Sequence, residues 1–293
     1  MDVQQSGDRG KGRPPPFIVE PSSRVHTHSI ILLHGRGSNG EKFGKELLET
    51  GICSNGMTLP DVFPGARFIF PTSKRRRAKA FNRAMLTQWF DLASLDDPSH
   101  RSQTELEGIE ESCREIIDMV GREALQVSHK NVILGGLSQG CATGLIALLA
   151  LDFPLGGFVG MSGWLPFTGD IELLASGKDP GGDDDNDDDP FASEGGTQDP
   201  ALEALDFVRD LVFAHNPEGA SRKGSALPTP VFLGHGEADE KVRLSLGDNA
   251  CRVLKSLGFH VEWKSYKDQG HWYKIPDEVN DVVAFIGITV GWA

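Results

Sequence analysis

The stretch GGLSQG places Ser138 between two glycines, at the point where a short apolar run gives way to a longer one. The run 131–138 predicts a buried strand and 139–152 predicts a helix, so Ser138 stands at the turn between them. Gly-x-Ser-x-Gly at a strand-to-helix turn is typical of a nucleophile elbow, because the glycines at Gly136 and Gly140 allow close backbone approach. In the alternative interpretation, Ser138 only caps the helix.

A serine hydroxyl is a weak nucleophile, so it requires a histidine base and an orienting acid, in the chain order Ser, Asp/Glu, His. Five of the nine histidines precede Ser138 and break this order. Among the four that follow, His271 lies in a glycine-containing loop after a predicted strand, where active-site groups of open α/β sheets are found. The others lie in strands or in a poorly defined segment: His215, His235 and His260. Spacing does not separate three candidate acids: Glu237, Asp239 and Glu240.

An oxyanion formed at Ser138 requires two hydrogen-bond donors. The backbone amide of Gln139 is the first, because it follows the nucleophile and begins a helix. The stretch LLHGRGSNG supplies a loop after an early strand, and we expect the Arg36 amide to be the second donor. The alternative is an ordinary glycine turn.

Short β-branched runs alternate with longer amphipathic runs along most of the chain. This pattern predicts an α/β protein with a mostly parallel central sheet and helices on both faces. Strands are expected near 28–35, 66–71, 131–138, 156–163, 229–236 and 260–267. Helices are expected near 40–50, 103–127, 139–152, 240–257 and 276–287.

The sequence around these candidate residues resembles the phospholipase/carboxylesterase family of α/β-hydrolases, which includes acyl-protein thioesterases and lysophospholipase-like esterases. The resemblance rests on LLHGRGSNG, QWFDL, GGLSQGCATGL, GMSGWLP, HGEADEKV and DQGHW, in this order between about 28 and 285. It implies the α/β-hydrolase fold and selects Ser138 as nucleophile, Asp239 as acid and His271 as base. It also implies an oxyanion hole from the amides of Arg36 and Gln139. By the same resemblance, aromatic side chains line the acyl channel: Trp89, Phe90 and Trp164.

The chain departs from the family pattern at three positions, each expected at the mouth of the pocket. Arg36 stands where the family usually has leucine, Cys141 where it has glycine, and Trp272 where it has a smaller residue. We therefore include Trp272 among the expected substrate-binding residues.

The resemblance implies a serine carboxylesterase or acyl thioesterase that works through an acyl-enzyme, with no metal or organic cofactor. The expected substrate is a small-molecule ester, a lysolipid or an acylated protein. A biosynthetic acyltransferase or cyclase would use the same triad and is the first alternative. A non-catalytic binding module on a hydrolase scaffold is the second.

The formal charge of −13 disfavours nucleic acid as a partner, since phosphate binding needs a concentrated basic surface. Thirteen acidic residues and one base lie within 170–206, which holds nearly all of the excess. We expect a disordered acidic insertion at about 176–200, because Gly, Asp and Pro bury little apolar area. A calcium site is the alternative, but the run lacks the spacing of an EF-hand loop. We expect a flexible segment at 1–16 and a single α/β-hydrolase domain over 17–293.

The chain has no apolar run long enough for a transmembrane segment, and its start lacks the apolar region of a signal peptide. We therefore expect a soluble cytoplasmic protein. Its four cysteines form no CxxC pair, which favours reduced thiols. The basic run SKRRRAKAFNR at 73–83 suggests either nuclear targeting or a solvated loop, and we favour the loop because no aromatic residues alternate with the charges.

Overall fold

The computed structural model describes residues 14–94, 97, 100–177, 199–215 and 223–291. The strands within these ranges are β1 (Phe17–Val19), β2 (His28–Leu33), β3 (Ala66–Phe70), β4 (Arg75–Ala78), β5 (Ala84–Thr87), β6 (Val132–Leu137), β7 (Gly157–Met161), β8 (Val231–Gly236) and β9 (Val261–Tyr266). The α-helices there are α1 (Gly40–Thr50), α2 (Leu59–Val62), α3 (Leu106–Val127), α4 (Gln139–Ala150), α5 (Thr168–Ala175), α6 (Pro200–Val212), α7 (Leu244–Ser256) and α8 (Asp277–Val290).

Seven of these strands form the central sheet, in the order β1-β3-β2-β6-β7-β8-β9. All neighbouring pairs are parallel except β1 with β3. Parallel strands place all their carboxyl ends at one edge, so the residues that follow β2, β6, β7, β8 and β9 meet there. The predicted mostly parallel sheet is confirmed.

Helices cover both faces of the sheet because its strands are apolar on both sides. Alternate residues of β2 belong to different cores: Ile31 and Leu33 pack with α3, α4, α6 and α7. Ile30 and Leu32 pack with α1, α2 and α8 on the other face. This two-layer covering is the predicted arrangement of the α/β-hydrolase fold.

The structure adds elements that the sequence pattern did not predict: β1, the short α2, the hairpin of β4 and β5, and the helices α5 and α6. The prediction of a loop at 73–83 is wrong for Arg75–Ala78, which pairs with Ala84–Thr87. Lys74 and Arg76 both bind Glu111 of α3, so helix contacts hold this hairpin despite its charge. Such contacts leave no signal in local hydrophobic periodicity.

Two sequence predictions concern segments that lie largely outside the described residues. The expected flexible segment at 1–16 is described only from Pro14 onward, and the acidic insertion at about 176–200 only at its two ends. Among the helices that the structure describes, none combines the length and apolar character needed to cross a membrane. The four cysteines are all buried free thiols.

We expect that replacing 178–198 by a short Gly-Ser linker leaves the melting temperature nearly unchanged. The two ends of this segment are neighbours, because a Cβ added at Gly177 would lie 3.3 Å from a ring carbon of Pro200. The segment is also poor in apolar residues, so its removal costs little buried area. Thermal unfolding of the shortened and full-length chains measures the difference, and a fall of several degrees would show that the segment packs on the domain.

Candidate active site

Ser138 lies in the sharp turn between β6 and α4. Its backbone has φ 58° and ψ −122°, a conformation that residues with a side chain rarely adopt. The Ser138 amide donates a hydrogen bond of 2.9 Å to the carbonyl of Met161 at the end of β7, which anchors the turn to the sheet. The strained residue is thus held where its side chain projects beyond the carboxyl ends of the strands.

The flanking glycines are required by close approach to β2. A Cβ at Gly140 would lie 2.2 Å from the carbonyl oxygen of Leu33, and one at Gly136 would lie 2.7 Å from the same atom. Real Cβ atoms do not approach oxygen so closely, and the neighbour is backbone that has little freedom to move. The spacing Gly-x-Ser-x-Gly is therefore explained by packing of the elbow against β2.

The structure brings Ser138, His271 and Asp239 into one hydrogen-bonded chain. The Nε2 atom of His271 lies 2.9 Å from Ser138 Oγ, and Nδ1 lies 2.7 Å from Asp239 Oδ2. His271 follows β9 and Asp239 follows β8, so both come from loops at the carboxyl edge of the sheet. The chain order Ser, Asp, His matches the order in which β6, β8 and β9 follow one another along the sheet.

A tight turn after β8 fixes the carboxylate of Asp239. Its Oδ1 accepts hydrogen bonds from the amides of Lys241 (2.8 Å) and Val242 (2.9 Å). Burial alone would raise the pKa of Asp239, but hydrogen bonds from His235, His271 and the Val242 amide hold it well below its usual range. Asp239 is therefore ionised at neutral pH. The predicted helix near 240–257 begins only at Leu244 because the preceding residues form this turn.

The other candidate acids and bases lie elsewhere or make other contacts. Glu237 is exposed and accepts a hydrogen bond from Ser265 Oγ (2.8 Å), while Glu240 is exposed at the rim of the cavity. His215 pairs with Glu110, with Nδ1 at 2.6 Å from Oε2. His260 is exposed before β9. Spatial contact with His271 thus singles out Asp239, the acid implied by the resemblance, among three acids that spacing alone left open.

The loop after β2 packs directly against the serine. A Cβ at Gly35 would lie 3.4 Å from Ser138 Cβ. The Gly35 carbonyl accepts hydrogen bonds from Ser38 N (3.2 Å) and from Nδ1 of His34 (2.7 Å), whose Nε2 accepts from Ser73 N (3.0 Å). Since the carbonyl and N–H of a trans peptide point in opposite directions, the Arg36 amide points away from the His34 ring.

Ser138 and His271 open onto a cavity of about 500 Å³ with mostly apolar walls. Two of the expected substrate-binding residues, Trp164 and Trp272, line it. The structure places Trp89 and Phe90 elsewhere, because both are fully buried and neither lines the cavity. Their assignment to the channel wall is corrected accordingly.

Trp89 and Phe90 instead connect the Ser138 turn to the loop that follows β2. The side chain of Gln139 accepts from the Trp89 amide (3.1 Å) and donates to the Phe90 carbonyl (2.8 Å). The indole Nε1 of Trp89 donates to the carbonyl of His34 (2.8 Å). The QWFDL stretch therefore ties the elbow to the loop of Arg36, a contact role that sequence patterns do not reveal.

The residues at which the chain departs from the family pattern do not all lie at the cavity. Arg36 lines the cavity, where burial lowers the pKa of its guanidinium and Asp91 opposes that shift. Cys141 does not reach the mouth, since its thiol lies in the core, 2.4 Å from where a Cβ at Gly163 would stand. The expectation that Cys141 contacts the pocket mouth is therefore wrong.

The loop that carries His271 is fastened by Glu278 at the start of α8. Glu278 is buried, and its Oε2 accepts a hydrogen bond from the Lys274 amide (2.9 Å). Burial raises the pKa of Glu278 to about 8, against the lowering effect of the Lys274 amide. The folded protein therefore keeps this proton at pH values where the unfolded chain releases it.

We expect Glu278→Gln to raise the melting temperature relative to wild type, and to do so more at pH 8 than at pH 5. Between the ordinary glutamate pKa and about 8 the folded state binds more protons than the unfolded state, so wild-type stability falls as pH rises. Glutamine mimics the protonated side chain and removes this dependence. Thermal unfolding at both pH values measures it, with Asp277→Asn, an exposed neighbour, as control. A stability difference independent of pH would contradict the assignment.

Comparisons of the sequence with a family model and with known proteins point to the same family. The model of the phospholipase/carboxylesterase family matches residues 14–178, which include the Ser138 elbow. Acyl-protein thioesterase 1 of Gibberella zeae is 27% identical over 272 residues, covering 92% of this chain and 93% of that protein. A probable carboxylesterase of Oryza sativa subsp. japonica is 25% identical, over 83% of this chain and 80% of its own length.

A solved structure is similar along nearly the whole chain. The crystal structure of Zea mays acyl-protein thioesterase 2 aligns with a TM-score of 0.63 at 25% identity, and covers 94% of this chain and 99% of its own. The family match, the spatial arrangement of the elbow and the sheet topology all agree with the resemblance drawn from the motifs. The chain belongs to the phospholipase/carboxylesterase family of α/β-hydrolases.

Proposed function

We propose that this chain is a serine hydrolase that cleaves carboxylic esters or acyl thioesters through an acyl-enzyme on Ser138. The observation that carries the proposal is the hydrogen-bonded chain from Ser138 Oγ through His271 to Asp239, at the base of a largely apolar cavity. The similarity to acyl-protein thioesterases and a carboxylesterase supports the same reaction class.

In the proposed mechanism, His271 is the general base. Asp239 accepts a hydrogen bond from the Nδ1–H group, which leaves the Nε2 lone pair 2.9 Å from Ser138 Oγ. Oγ attacks the acyl carbon as its proton passes to Nε2, and the resulting imidazolium is stabilised by the Asp239 carboxylate. The imidazolium then protonates the departing alcohol or thiol. Water, deprotonated by the same nitrogen, hydrolyses the acyl-enzyme.

The proposed oxyanion donors are the amides of Gln139 and Arg36. Gln139 is the first residue of α4, so its N–H has no carbonyl partner within the helix. The Arg36 amide belongs to the peptide whose carbonyl is held by His34 and Ser38, next to Ser138. Two such preorganised donors stabilise the developing negative charge without reorganisation during the reaction.

The walls of the cavity favour an apolar acyl chain in the substrate. Trp164, Trp272 and Phe43 supply aromatic surface, whereas Arg36 and Lys241 bring positive charge to the same cavity. We infer that the acyl group packs on the aromatic side chains, as expected for a fatty ester, a lysolipid or an acylated protein.

Labelling with a fluorophosphonate probe followed by turnover of esters tests the proposal. Wild-type protein is expected to label once, at Ser138, and to hydrolyse p-nitrophenyl esters and acyl-CoA thioesters. Product analysis with alcohol and amine acceptors present separates hydrolysis from acyl transfer, since a transferase or cyclase would release little free acid. Absence of labelling in folded protein would instead favour a non-catalytic binding module.

A further inference from the structure

His235 is a buried histidine that the proposed mechanism does not use. It lies near the end of β8, four residues before Asp239, and is 1% exposed. Its Nε2 is 2.9 Å from the carbonyl oxygen of Val242 and 3.4 Å from Asp239 Oδ2. The sequence analysis did not select His235 as the catalytic base because it lies within a predicted strand. In the structure, that strand ends beside Asp239.

The contacts of the His235 ring define where its proton lies. Both oxygens near Nε2 are acceptors only, so Nε2 carries the hydrogen and shares it between Val242 and Asp239. Among the described residues, Nδ1 has no hydrogen-bond partner. The ring is also closely packed, because a Cβ at Gly247 would lie 2.5 Å from Nδ1 and the Trp263 ring centroid is 6.1 Å away.

We propose that His235 is a positioning residue, which holds the Asp239 carboxylate in the orientation that His271 requires; this inference rests on the proposed function. It does so in two ways: its N–H closes the 239–242 turn through the Val242 carbonyl, and it contacts the carboxylate itself.

The two oxygens of Asp239 differ in how they are held. Oδ1 is bound by two backbone amides of its own turn. Oδ2 contacts His271, which belongs to a loop, and His235, which belongs to a strand of the central sheet. His235 therefore connects the oxygen that contacts His271 to the central sheet. The histidine orients the acid, and the acid in turn orients the base.

Two substitutions of His235 distinguish the contribution of its hydrogen bond from that of its ring packing. His235→Phe keeps the ring volume against Trp263 but removes the donor, whereas the amide nitrogen of His235→Gln can occupy the place of Nε2. We expect kcat of the Phe variant to fall roughly ten- to hundredfold, the range for losing a hydrogen bond to a charged group, with KM nearly unchanged. The Gln variant is expected to recover most of this loss.

The pH dependence of kcat/KM distinguishes a positioning role from a loss of stability, because lower stability alone does not shift its ascending limb. In the Phe variant a displaced carboxylate stabilises the His271 imidazolium less, so the ascending limb of kcat/KM moves to lower pH. Within the described part of the chain, the titratable groups beside the ring are Asp239, which also contacts His271, and the Cys141 thiol, whose pKa is raised by burial to about 12. Beside β8, Glu278 lies against Gly234.

An NMR measurement on substrate-free protein keeps the inference testable whether or not a given ester is turned over. The Nδ1–H proton of His271 should resonate at low field in wild type and in the Gln variant, and move upfield in the Phe variant. Equal losses in the Phe and Gln variants, or wild-type kcat, pH limb and proton shift in the Phe variant, would overturn the positioning role. Either result leaves the proposed function standing, whereas an unlabelled, inactive wild type would remove that function and leave the NMR test in force.

Discussion

Replacing Ser138 with alanine is expected to abolish ester and thioester hydrolysis, with kcat falling by about a millionfold. The substitution removes the only hydroxyl that lies within hydrogen-bond distance of His271 Nε2 in the described part of the chain. Binding and the oxyanion donors remain, so a small rate above that of water should persist. Active-site titration with a fluorophosphonate, together with turnover of p-nitrophenyl esters, measures the loss.

His271→Ala should be nearly as damaging, and the double variant no worse than either single variant. Members of a triad act as a unit, since the nucleophile without its base is an ordinary hydroxyl. Matched controls are Ser162→Ala, directly after the neighbouring strand β7, and His260→Ala, an exposed histidine before β9. Both should keep most of the activity. Undiminished hydrolysis by folded Ser138→Ala protein would exclude the acyl-enzyme mechanism.

The sequence predicted the central sheet and its main helices because their signal is strong. Residues 30–33 of β2 and 132–134 of β6 are buried on both faces of the sheet and therefore form continuous apolar runs in the sequence. The helices α3 and α7 are amphipathic over three or more turns, which gives a clear period. Elements of this kind are determined by which residues must leave water, and that information is local.

The elements that the sequence missed have two causes, distant contacts and the composition of a neighbouring segment. The hairpin of β4 and β5 is charged on one strand and is held by Glu111 of α3 and by the Gly37 amide, which donates to the Thr87 carbonyl (2.7 Å). Helix α6 is amphipathic, but it begins directly after the acidic segment, whose composition dominated the interpretation of that region. The hairpin could not be predicted without tertiary contacts, whereas the local signal of α6 was obscured by the composition of the segment before it.

The candidate site was predictable in part for a geometric reason. Parallel strands deliver their following residues to one edge, so Ser138 and His271 could be placed together from the order of elements. The choice among Glu237, Asp239 and Glu240 depends on a tight turn whose shape the local sequence does not encode. The buried roles of Trp89, Phe90 and His235 depend on side-chain contacts across the sheet edge, which only the structure shows.

Asp239→Asn is expected to lower kcat/KM by roughly ten-thousandfold, by the tautomer effect known for triads. The Asn oxygen should take the place of Oδ1, because two backbone amides donate there. The side-chain nitrogen of the asparagine then takes the place of Oδ2 and faces Nδ1 of His271 as a donor. To accept that hydrogen bond, His271 must move its proton to Nε2, where it can no longer accept the serine proton.

The same substitution keeps the volume of the side chain and two of its hydrogen bonds, so its loss of activity is chemical and not a consequence of unfolding. Glu237→Gln and Glu240→Gln remove the neighbouring exposed carboxylates and serve as controls that should stay close to wild type. Circular dichroism confirms folding, and kcat/KM for a p-nitrophenyl ester measures the effect. If Glu240→Gln lost more activity than Asp239→Asn, the orienting acid would be the rim carboxylate, and the hydrogen bond of 2.7 Å between Asp239 and His271 would have a structural role only.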